Sequence, residues 1–205
     1  MDLIEEFKSL PTTCVSDVLR GLNNLDPSIK PLKEEYKIAG RAFTVKIPAG
    51  DNLGIQRAIK EASQGDILVI DGKGETYRAI AGDFVIGMAQ TVGLGGFIVD
   101  GVVRDVAEIR ELNYPVFCKG STVAASLKVD PGEINIPISC GGVPVNPGDI
   151  IVGDVNGIVI VPQEKAEETL QKAKKKLAKD NARDQKVLGK PEEVYKYIDG
   201  VLSKK

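Results

Sequence analysis

The sequence predicts an α/β protein in which peripheral helices cover a mixed central sheet or a barrel-like core. Between residues 42 and 118, short apolar segments alternate with segments of helical periodicity, which is typical of buried strands and the helices that cover them. Residues 120–162 carry short apolar segments separated by Gly, Pro and Asp, which is typical of antiparallel or barrel-like sheet. The chain has 205 residues, 42% hydrophobic and 27% charged, which are ordinary values for a protein that buries its own core.

Two short helices are predicted at the start of the chain. Pro11 separates them, because proline cannot continue a helix, and Gly21 ends the second. Residues 22–40 contain several Asn, Asp-Pro and Pro turn signals and are predicted as a connection. The apolar residues that recur at helical spacing are Leu3, Ile4, Phe7 and Leu10 before Pro11, and Val15, Val18 and Leu19 after it.

Strands and helices are predicted to alternate along the middle of the chain. Asp51 and Asn52 can cap the first of these helices, and Gly82 with Asp83 opens the second. Residues 71–75 follow a buried strand and are predicted as a turn. The predicted strands are residues 42–47, 67–70, 97–99 and 115–118, and the predicted helices are residues 53–59, 81–92 and 104–112.

The composition changes after Pro162, where four short strands give way to a helical tail. We divide the chain into a β/α domain of residues 1–162 and a helical C-terminal extension of residues 163–205. The extension has 12 Lys or Arg and 8 Asp or Glu, a net charge of +4. Its basic patch is either a solvated helix face or a surface that docks an acidic neighbour, such as another subunit. The strands are residues 134–138, 143–145, 150–152 and 158–161, and the patch is Lys172, Lys174, Lys175, Lys176 and Lys179.

The absence of histidine from the sequence excludes several classes of active site. It removes Ser-His-Asp and Cys-His nucleophile pairs, zinc sites that contain His, and the iron site built from two His and a carboxylate. The three cysteines are far apart and form no C-x-x-C pair, so neither a disulfide framework nor a thiolate zinc site is indicated. Proton transfer must therefore use carboxylate, Lys, Tyr, Cys or water.

The charge and the hydropathy of the chain limit which partners and which location are expected. A formal net charge of −2 gives no electrostatic reason to expect nucleic acid or a membrane surface as a partner. The acidic start lacks the features of a signal peptide, and no apolar run approaches the ~18 residues that cross a bilayer. We expect a soluble, cytoplasmic protein whose cysteines are reduced and buried.

Residues 100–108 form the first candidate site. They follow a predicted buried strand, and ligand sites in α/β proteins favour the carboxyl ends of strands. Asp105 and Glu108 would share one face of a helix that begins here, and carboxylate oxygens suit a hard cation such as Mg²⁺. Arg104 offers a planar fork for a substrate carboxylate. The alternative is a capped helix start with an Arg–Glu pair on its surface.

Residues 81–85 form the second candidate site. Gly82 permits close backbone approach, and free N–H groups at a helix start could hold a carboxylate. Asp83 as a plain N-cap is the alternative reading. Residues 71–75 could line the same cleft. Further polar candidates, each alternatively a cap or turn residue, are Asp17, Asp51, Asn52 and Asp154.

The ordered combination of these motifs resembles the RraA-like family. Residues 82–85 read GDFV and residues 96–105 read GFIVDGVVRD, and the similarity extends from about Thr13 to Pro162. That family includes the class II 4-hydroxy-4-methyl-2-oxoglutarate / 4-carboxy-4-hydroxy-2-oxoadipate aldolases and the regulator of ribonuclease activity A. Supporting pieces are Thr13-x-x-x-Asp17, Asp51-Asn52, and residues 65–71 and 148–162.

The resemblance implies a swivelling β/β/α fold that assembles as a homotrimer or a dimer of trimers, with sites between subunits. It implies that Arg104 binds substrate and that Asp105 ligates Mg²⁺ or Mn²⁺. The stretch Gly82, Asp83, Phe84 and Val85 would bind the pyruvate moiety, partly through backbone N–H groups. Asp83 would also hold a water on the metal. A neighbouring chain can contribute an acidic residue, for which we identify no matching position.

These implications lead us to expect a metal-dependent lyase that cleaves a 4-hydroxy-2-keto acid to pyruvate. Such a retro-aldol reaction must stabilise an enolate, which a hard divalent cation chelated by the 2-keto acid does as a Lewis acid. Oxaloacetate decarboxylation passes through the same enolate and is expected as a side activity. The alternative is a non-enzymatic regulator that binds a ribonuclease or a helicase. Since Gly93–Gly96 follow a helix and open a strand, no glycine loop is placed for a nucleotide or a methyl donor.

Overall fold

The computed structural model describes residues 2–203 and confirms a mixed α/β fold with peripheral helices. Seven α-helices occur among the described residues, together with a 3₁₀ turn at Gln163–Lys165. They are α1 Leu3–Lys8, α2 Thr12–Val18, α3 Leu53–Glu61, α4 Asp83–Thr91, α5 Val106–Glu111, α6 Ala166–Val187 and α7 Pro191–Leu202. The strands are β1 Lys30–Pro31, β2 Ile38–Lys46, β3 Ile67–Glu75, β4 Gly96–Val103, β5 Val116–Cys118, β6 Gly120–Ser121, β7 Glu133–Ile134, β8 Ile138–Cys140, β9 Val143–Val145, β10 Ile150–Asp154 and β11 Gly157–Val161.

The main sheet combines a parallel centre with antiparallel edges. Its order is β1-β5-β4-β3-β2-β10-β11, and β2, β3, β4 and β5 run parallel. Strand β10 lies antiparallel to β2 and pairs with β11, while β8 and β9 form a separate antiparallel ribbon. Because α3, α4 and α5 each follow one of the parallel strands, the loops before these helices meet at one edge of the sheet. We call this edge the carboxyl edge.

Three apolar clusters hold these layers together. The largest packs α3, α4 and α5 on one face of the sheet, around Ile70, Val99 and Ile86. The second lies between the other face and the β8–β9 ribbon, around Ile98 and Cys140. The third joins α1, α2 and the first turns of α6 to β10 and β11, and it includes Phe7 and Leu170. Val99 and Ile98 are neighbours in β4 yet belong to different clusters, as expected for a strand buried on both faces.

The structure corrects three of the predicted boundaries. Residues 71–75 are not a turn, because β3 continues through a register shift and pairs Glu75 with Gly101 of β4. Gly72 and Gly101 make this extension possible, since a Cβ at either position would lie 2.0 or 2.3 Å from the Cδ1 atom of Ile80. Strand β4 likewise runs on to Val103. The predicted strand 134–138 is split between β7 and β8, because Asn135 has a positive φ of 53° and Pro137 follows it.

The C-terminal extension is helical, as predicted. Within α6, Leu170 and Ala173 are buried, so the start of the extension packs into the core of the preceding residues. The division at residue 162 stays a prediction. Three patch lysines pair with acids inside this chain: Lys172 with Glu168, Lys174 with Glu6, and Lys176 with Asp17 at 3.1 Å. In the part of the chain that the structure describes, no helix is long and apolar enough to cross a membrane.

Asp51 ties the start of α3 to the loop of residues 122–132. Its side chain is 2% exposed, and it accepts N–H bonds from Leu53 at 2.9 Å, Val129 at 2.8 Å and Asp130 at 3.2 Å. Burial alone would raise the pKa of this carboxyl, but the N–H bonds outweigh burial and hold the pKa below its usual 3.8. Asp51 is therefore explained as a structural anchor.

We expect Asp51→Asn to lower the free energy of unfolding at pH 7 by about 2 kcal/mol, since the amide nitrogen that replaces one of the two carboxylate oxygens cannot accept an N–H bond. The pKa of Asp51 is lower folded than unfolded, so its contribution is present above about pH 4 and is lost as pH falls through the folded pKa. Urea unfolding at pH 7 and pH 3 should show a smaller acid loss in the variant. Asp199→Asn, on an exposed position of α7, is the control. If the free energy of unfolding falls equally from pH 7 to pH 3 in the parent and in Asp51→Asn, the anchoring role of Asp51 is contradicted.

Candidate active site

The two predicted site segments meet at the carboxyl edge of the sheet. Ala81 forms a parallel bridge with Val103, and the backbone N–H of Arg104 donates to the carbonyl of Ala81 at 3.0 Å. The end of β4 therefore lies beside the segment that opens α4. This pairing brings Gly82 to Arg104 and Asp105, which lie more than 20 residues later in the sequence.

Asp105 occupies a strained backbone conformation. Its φ and ψ are 58° and 44°, in the left-handed region that is uncommon for residues other than glycine. It stands at the N-cap position of α5, yet its side chain does not cap the helix. The carboxylate instead lies over Gly82, where a Cβ atom would be 2.3 Å from Oδ2. The Arg104 Nε atom is 3.2 Å from the same oxygen.

The N-terminus of α4 is open for a ligand. Gly82 is its N-cap residue, and no side chain caps this end. The first N–H groups of the helix, those of Asp83, Phe84 and Val85, precede its first internal bond, from the Ile86 N–H to the Gly82 carbonyl. The Val85 side chain is buried in the core, so only its backbone can face a ligand, whereas Phe84 is 75% exposed.

The structure contradicts both alternatives that the sequence left open, and also the helical face predicted to be shared by Asp105 and Glu108. Asp83 is the first helical residue of α4 and not its cap. Helix α5 begins at Val106, so Asp105 precedes the helix and does not share a helical face with Glu108. Arg104 pairs with Asp105 across 3.2 Å, and no Arg–Glu pair forms at this helix start.

The donor set suits a hard cation that needs few protein ligands. Asp105 supplies a half-exposed carboxylate, and Gly82 leaves the space beside it free of a side chain. Within residues 2–203 no group of three or more His, Cys, Asp or Glu side chains is arranged to hold a metal. Mg²⁺ keeps several waters and is commonly held by one or two carboxylates, so a site with the single carboxylate of Asp105 fits that ion.

A strap of residues 122–126, which the sequence analysis did not single out, holds the segment before Gly82. The Thr122 N–H donates to the Val103 carbonyl at 2.9 Å, and the Ala79 N–H donates to the Ala124 carbonyl at 2.9 Å. The Ser126 hydroxyl also donates to the Ala79 carbonyl. Arg78 lies on the strapped segment, and its Nη1 donates to the Ala125 carbonyl at 2.9 Å. The one feature of the sequence that could have marked Arg78 as a site residue is its position four residues before Gly82.

The acidic residues among the remaining polar candidates have partners elsewhere in the fold. Asp154 accepts N–H bonds from Thr12 at 3.0 Å and Asn156 at 2.8 Å, and Asp17 pairs with Lys176. Asp71 pairs with Lys73 at 2.5 Å. Asn52 is buried, and its Oδ1 has no hydrogen-bond partner. A groove of about 710 Å³ between α3 and α4 reaches Asp83 and Phe84, but Arg104 and Asp105 do not line it.

Comparison with known proteins identifies a family and several relatives. The family model described as RraA-like, Aldolase/RraA, matches residues 12–160. A protein of Halalkalibacterium halodurans named "Putative 4-hydroxy-4-methyl-2-oxoglutarate aldolase" is 50% identical over 202 residues, covering 98% of this chain and 96% of its own.

Two solved structures share the fold. One is Streptomyces coelicolor RraAS2, described as an unusual member of the RNase ES inhibitor RraA family, with 26% identity, a TM-score of 0.81, and coverage of 89% of this chain and 97% of its own. The other is the RNA-processing inhibitor RraA from Thermus thermophilis, with 29% identity, a TM-score of 0.68, and coverage of 75% and 93%. Because the family model matches residues 12–160, this chain belongs to the RraA-like family.

Proposed function

We propose that this protein is a divalent-metal-dependent lyase that cleaves a 4-hydroxy-2-keto acid to pyruvate. The observation that carries the proposal is the left-handed Asp105, whose carboxylate leaves its own helix uncapped and lies between Arg104 and Gly82. Strain of this kind costs about 1–3 kcal/mol and is typical of functional sites. The name of the relative that is 50% identical supports the same activity.

The reaction requires three things of the site. The C3–C4 bond of the substrate breaks, the 4-hydroxyl loses its proton and becomes a carbonyl, and the electron pair forms the enolate of pyruvate. A proton then returns to C3. With 4-hydroxy-4-methyl-2-oxoglutarate as substrate, both products are pyruvate. The site must therefore hold the 2-keto acid, stabilise the negative charge on its C2 oxygen, and move one proton.

Residues of this chain meet these needs. The free N–H groups at the start of α4 and the Arg104 guanidinium would bind the C1 carboxylate, since both favour planar anions. Arg104 would also stabilise the charge that develops on the C2 oxygen. The Asp83 carboxylate would orient the water that takes the 4-hydroxyl proton, which is how the site works without histidine.

Mg²⁺ or Mn²⁺ belongs to this proposal, with Asp105 as its protein ligand. When bound, the ion would supply Lewis-acid polarisation of the 2-keto group. Oxaloacetate decarboxylation needs the same enolate and is proposed as a side activity.

A trimer or a dimer of trimers is also part of the proposal. Large apolar side chains near the site, Tyr77, Phe84 and Val123, are 74%, 75% and 96% exposed, and a neighbouring chain would cover them.

A regulator that binds a ribonuclease or a helicase is the second candidate function. The likeness to two solved proteins named as RNA-processing or RNase inhibitors favours it, with TM-scores of 0.81 and 0.68. A regulator of this kind would not be an enzyme and would not need Asp105 for catalysis.

The lyase is tested by pyruvate release from 4-hydroxy-4-methyl-2-oxoglutarate and from oxaloacetate, with Mg²⁺ and again with a chelator. We expect chelator-sensitive pyruvate from both substrates, because both reactions pass through the same enolate. No pyruvate from either substrate, with folded protein and added Mg²⁺, would contradict the lyase and favour the regulator.

Gly82→Ala should lower kcat/KM by at least about 100-fold, because the new Cβ would collide with the Asp105 carboxylate and displace it. Steady-state kinetics with Mg²⁺ would measure the loss. Gly87→Ala is the matched control on the same helix, since its nearest neighbour would be the Leu112 Cδ1 atom at 3.9 Å. Similar kinetics for the two variants would count against the site.

Asp105→Asn should abolish metal-dependent turnover while the fold persists, because asparagine tolerates the left-handed backbone but is a weaker cation ligand.

Arg104→Ala should raise KM and lower kcat together, since the guanidinium would act in both ground and transition states. Glu108→Gln, exposed on α5, is the control for both. Turnover at the parent rate in either site variant would refute its assigned role.

A further inference from the structure

Arg78 is a fixed cation at the same edge of the sheet as the candidate site. The loops before α3, α4 and α5 follow the adjacent parallel strands β2, β3 and β4, and they contain Gly50, Arg78 and Arg104 in that order. Arg78 precedes Gly82 by four residues, so their Cα atoms are at most about 14 Å apart. Arg78 and Arg104 therefore lie on the two loops that meet beside the opening of α4.

The Arg78 side chain is held on three sides. Its Nη1 donates to the Ala125 carbonyl at 2.9 Å, and its guanidinium carbon lies 5.8 Å from the centre of the Tyr77 ring. Its aliphatic stem fills the space beside Gly50, where a Cβ would lie 2.9 Å from the Arg78 Cδ atom. Gly50 has a φ of +73°, so this neighbour is constrained to lack a side chain.

The charge of this guanidinium has no partner among the ion pairs of residues 2–203. The nearby Glu75 carboxylate is turned to the backbone instead, where it accepts the N–H groups of Tyr77 at 2.5 Å and Arg78 at 3.3 Å. These N–H bonds are the main cause that lowers the pKa of Glu75, and the nearby positive charge of Arg78 lowers it further without a direct ion pair. Within residues 2–203 the Arg78 guanidinium makes one hydrogen bond, so its remaining donors are available to an anion.

We propose that Arg78 binds the distal carboxylate of a dicarboxylic 2-keto acid and so selects dicarboxylic over monocarboxylic substrates. This inference rests on the proposed function, because Arg104 and the α4 N-terminus are then occupied by the C1 carboxylate. A five-carbon 2-keto dicarboxylate carries its second carboxylate at C5, beyond the bond that breaks. Recognition there is separate from the chemistry at C2 to C4, so Arg78 acts in specificity.

Binding of two unreactive probes tests the proposal without requiring turnover. 2-Oxoglutarate has the carbon chain and both carboxylates of the proposed substrate, whereas 2-oxopentanoate has a methyl group in place of the distal carboxylate. Titration calorimetry with Mg²⁺ should show that the parent binds 2-oxoglutarate more tightly. Arg78→Gln should weaken 2-oxoglutarate binding about 10- to 100-fold, the range expected for a lost charged hydrogen bond, and change 2-oxopentanoate binding less than about 2-fold.

Two further variants keep the test decisive. Arg78→Lys should give an intermediate loss, because lysine keeps the charge but not the planar fork. If Arg78→Gln is unfolded by circular dichroism, Arg78→Lys carries the comparison. Arg57→Gln, an exposed arginine that pairs with Glu61 on α3, is the matched control and should bind both probes as the parent does.

The outcomes separate this proposal from the lyase. Selective loss of 2-oxoglutarate binding in a protein that releases no pyruvate would support Arg78 and refute the lyase. An active lyase in which Arg78→Gln weakens both probes equally, or neither, would overturn the role of Arg78. Sedimentation should show one assembly state for parent and variant. Dissociation of Arg78→Gln with equal loss of both probes would assign Arg78 to a subunit contact instead.

Discussion

The hydrogen bond from the Arg104 N–H to the Ala81 carbonyl is the contact on which the candidate site depends. It extends the parallel pairing of β3 and β4 past their regular ends and joins the loops before α4 and α5. The next residue after each partner, Gly82 and Asp105, then meets across the gap. A shift of one residue here would turn the Asp105 carboxylate away from Gly82.

Three glycines allow the loops before α4 and α5 to pack against each other in this way. Gly72 and Gly101 leave room for Ile80 under the connecting segment, and Gly82 leaves room for the Asp105 carboxylate. A methyl group at any of these positions would lie within 2.3 Å of an existing atom, closer than packed atoms approach. The same glycines therefore set both the path of the chain and the space available to a ligand.

The strap of residues 122–126 gives the site a rigid outer wall. It bonds to β4 through Thr122, to the connecting segment through Ala124 and Ser126, and to Arg78 through the Ala125 carbonyl. The buried Asp51 anchors the residues that follow the strap to the start of α3. All three loops at the carboxyl edge are thus tied to one another by backbone and side-chain hydrogen bonds, which suits a site that must hold its ligands in place.

The sequence by itself determined the central strands, the helices that cover them and the helical tail, because apolar periodicity and the placement of Gly and Pro are local signals. It also identified residues 82–85 and 104–105 as candidate substrate-binding and metal-binding segments. Only the tertiary structure decided that these segments touch, that Asp105 turns away from its own helix, and that residues 71–75 continue a strand. Each of these depends on contacts between residues distant in sequence, such as Ile80 over Gly101 and Ala81 beside Val103. Arg78 escaped the sequence analysis for the same reason, since its partner carbonyl at Ala125 lies 47 residues away.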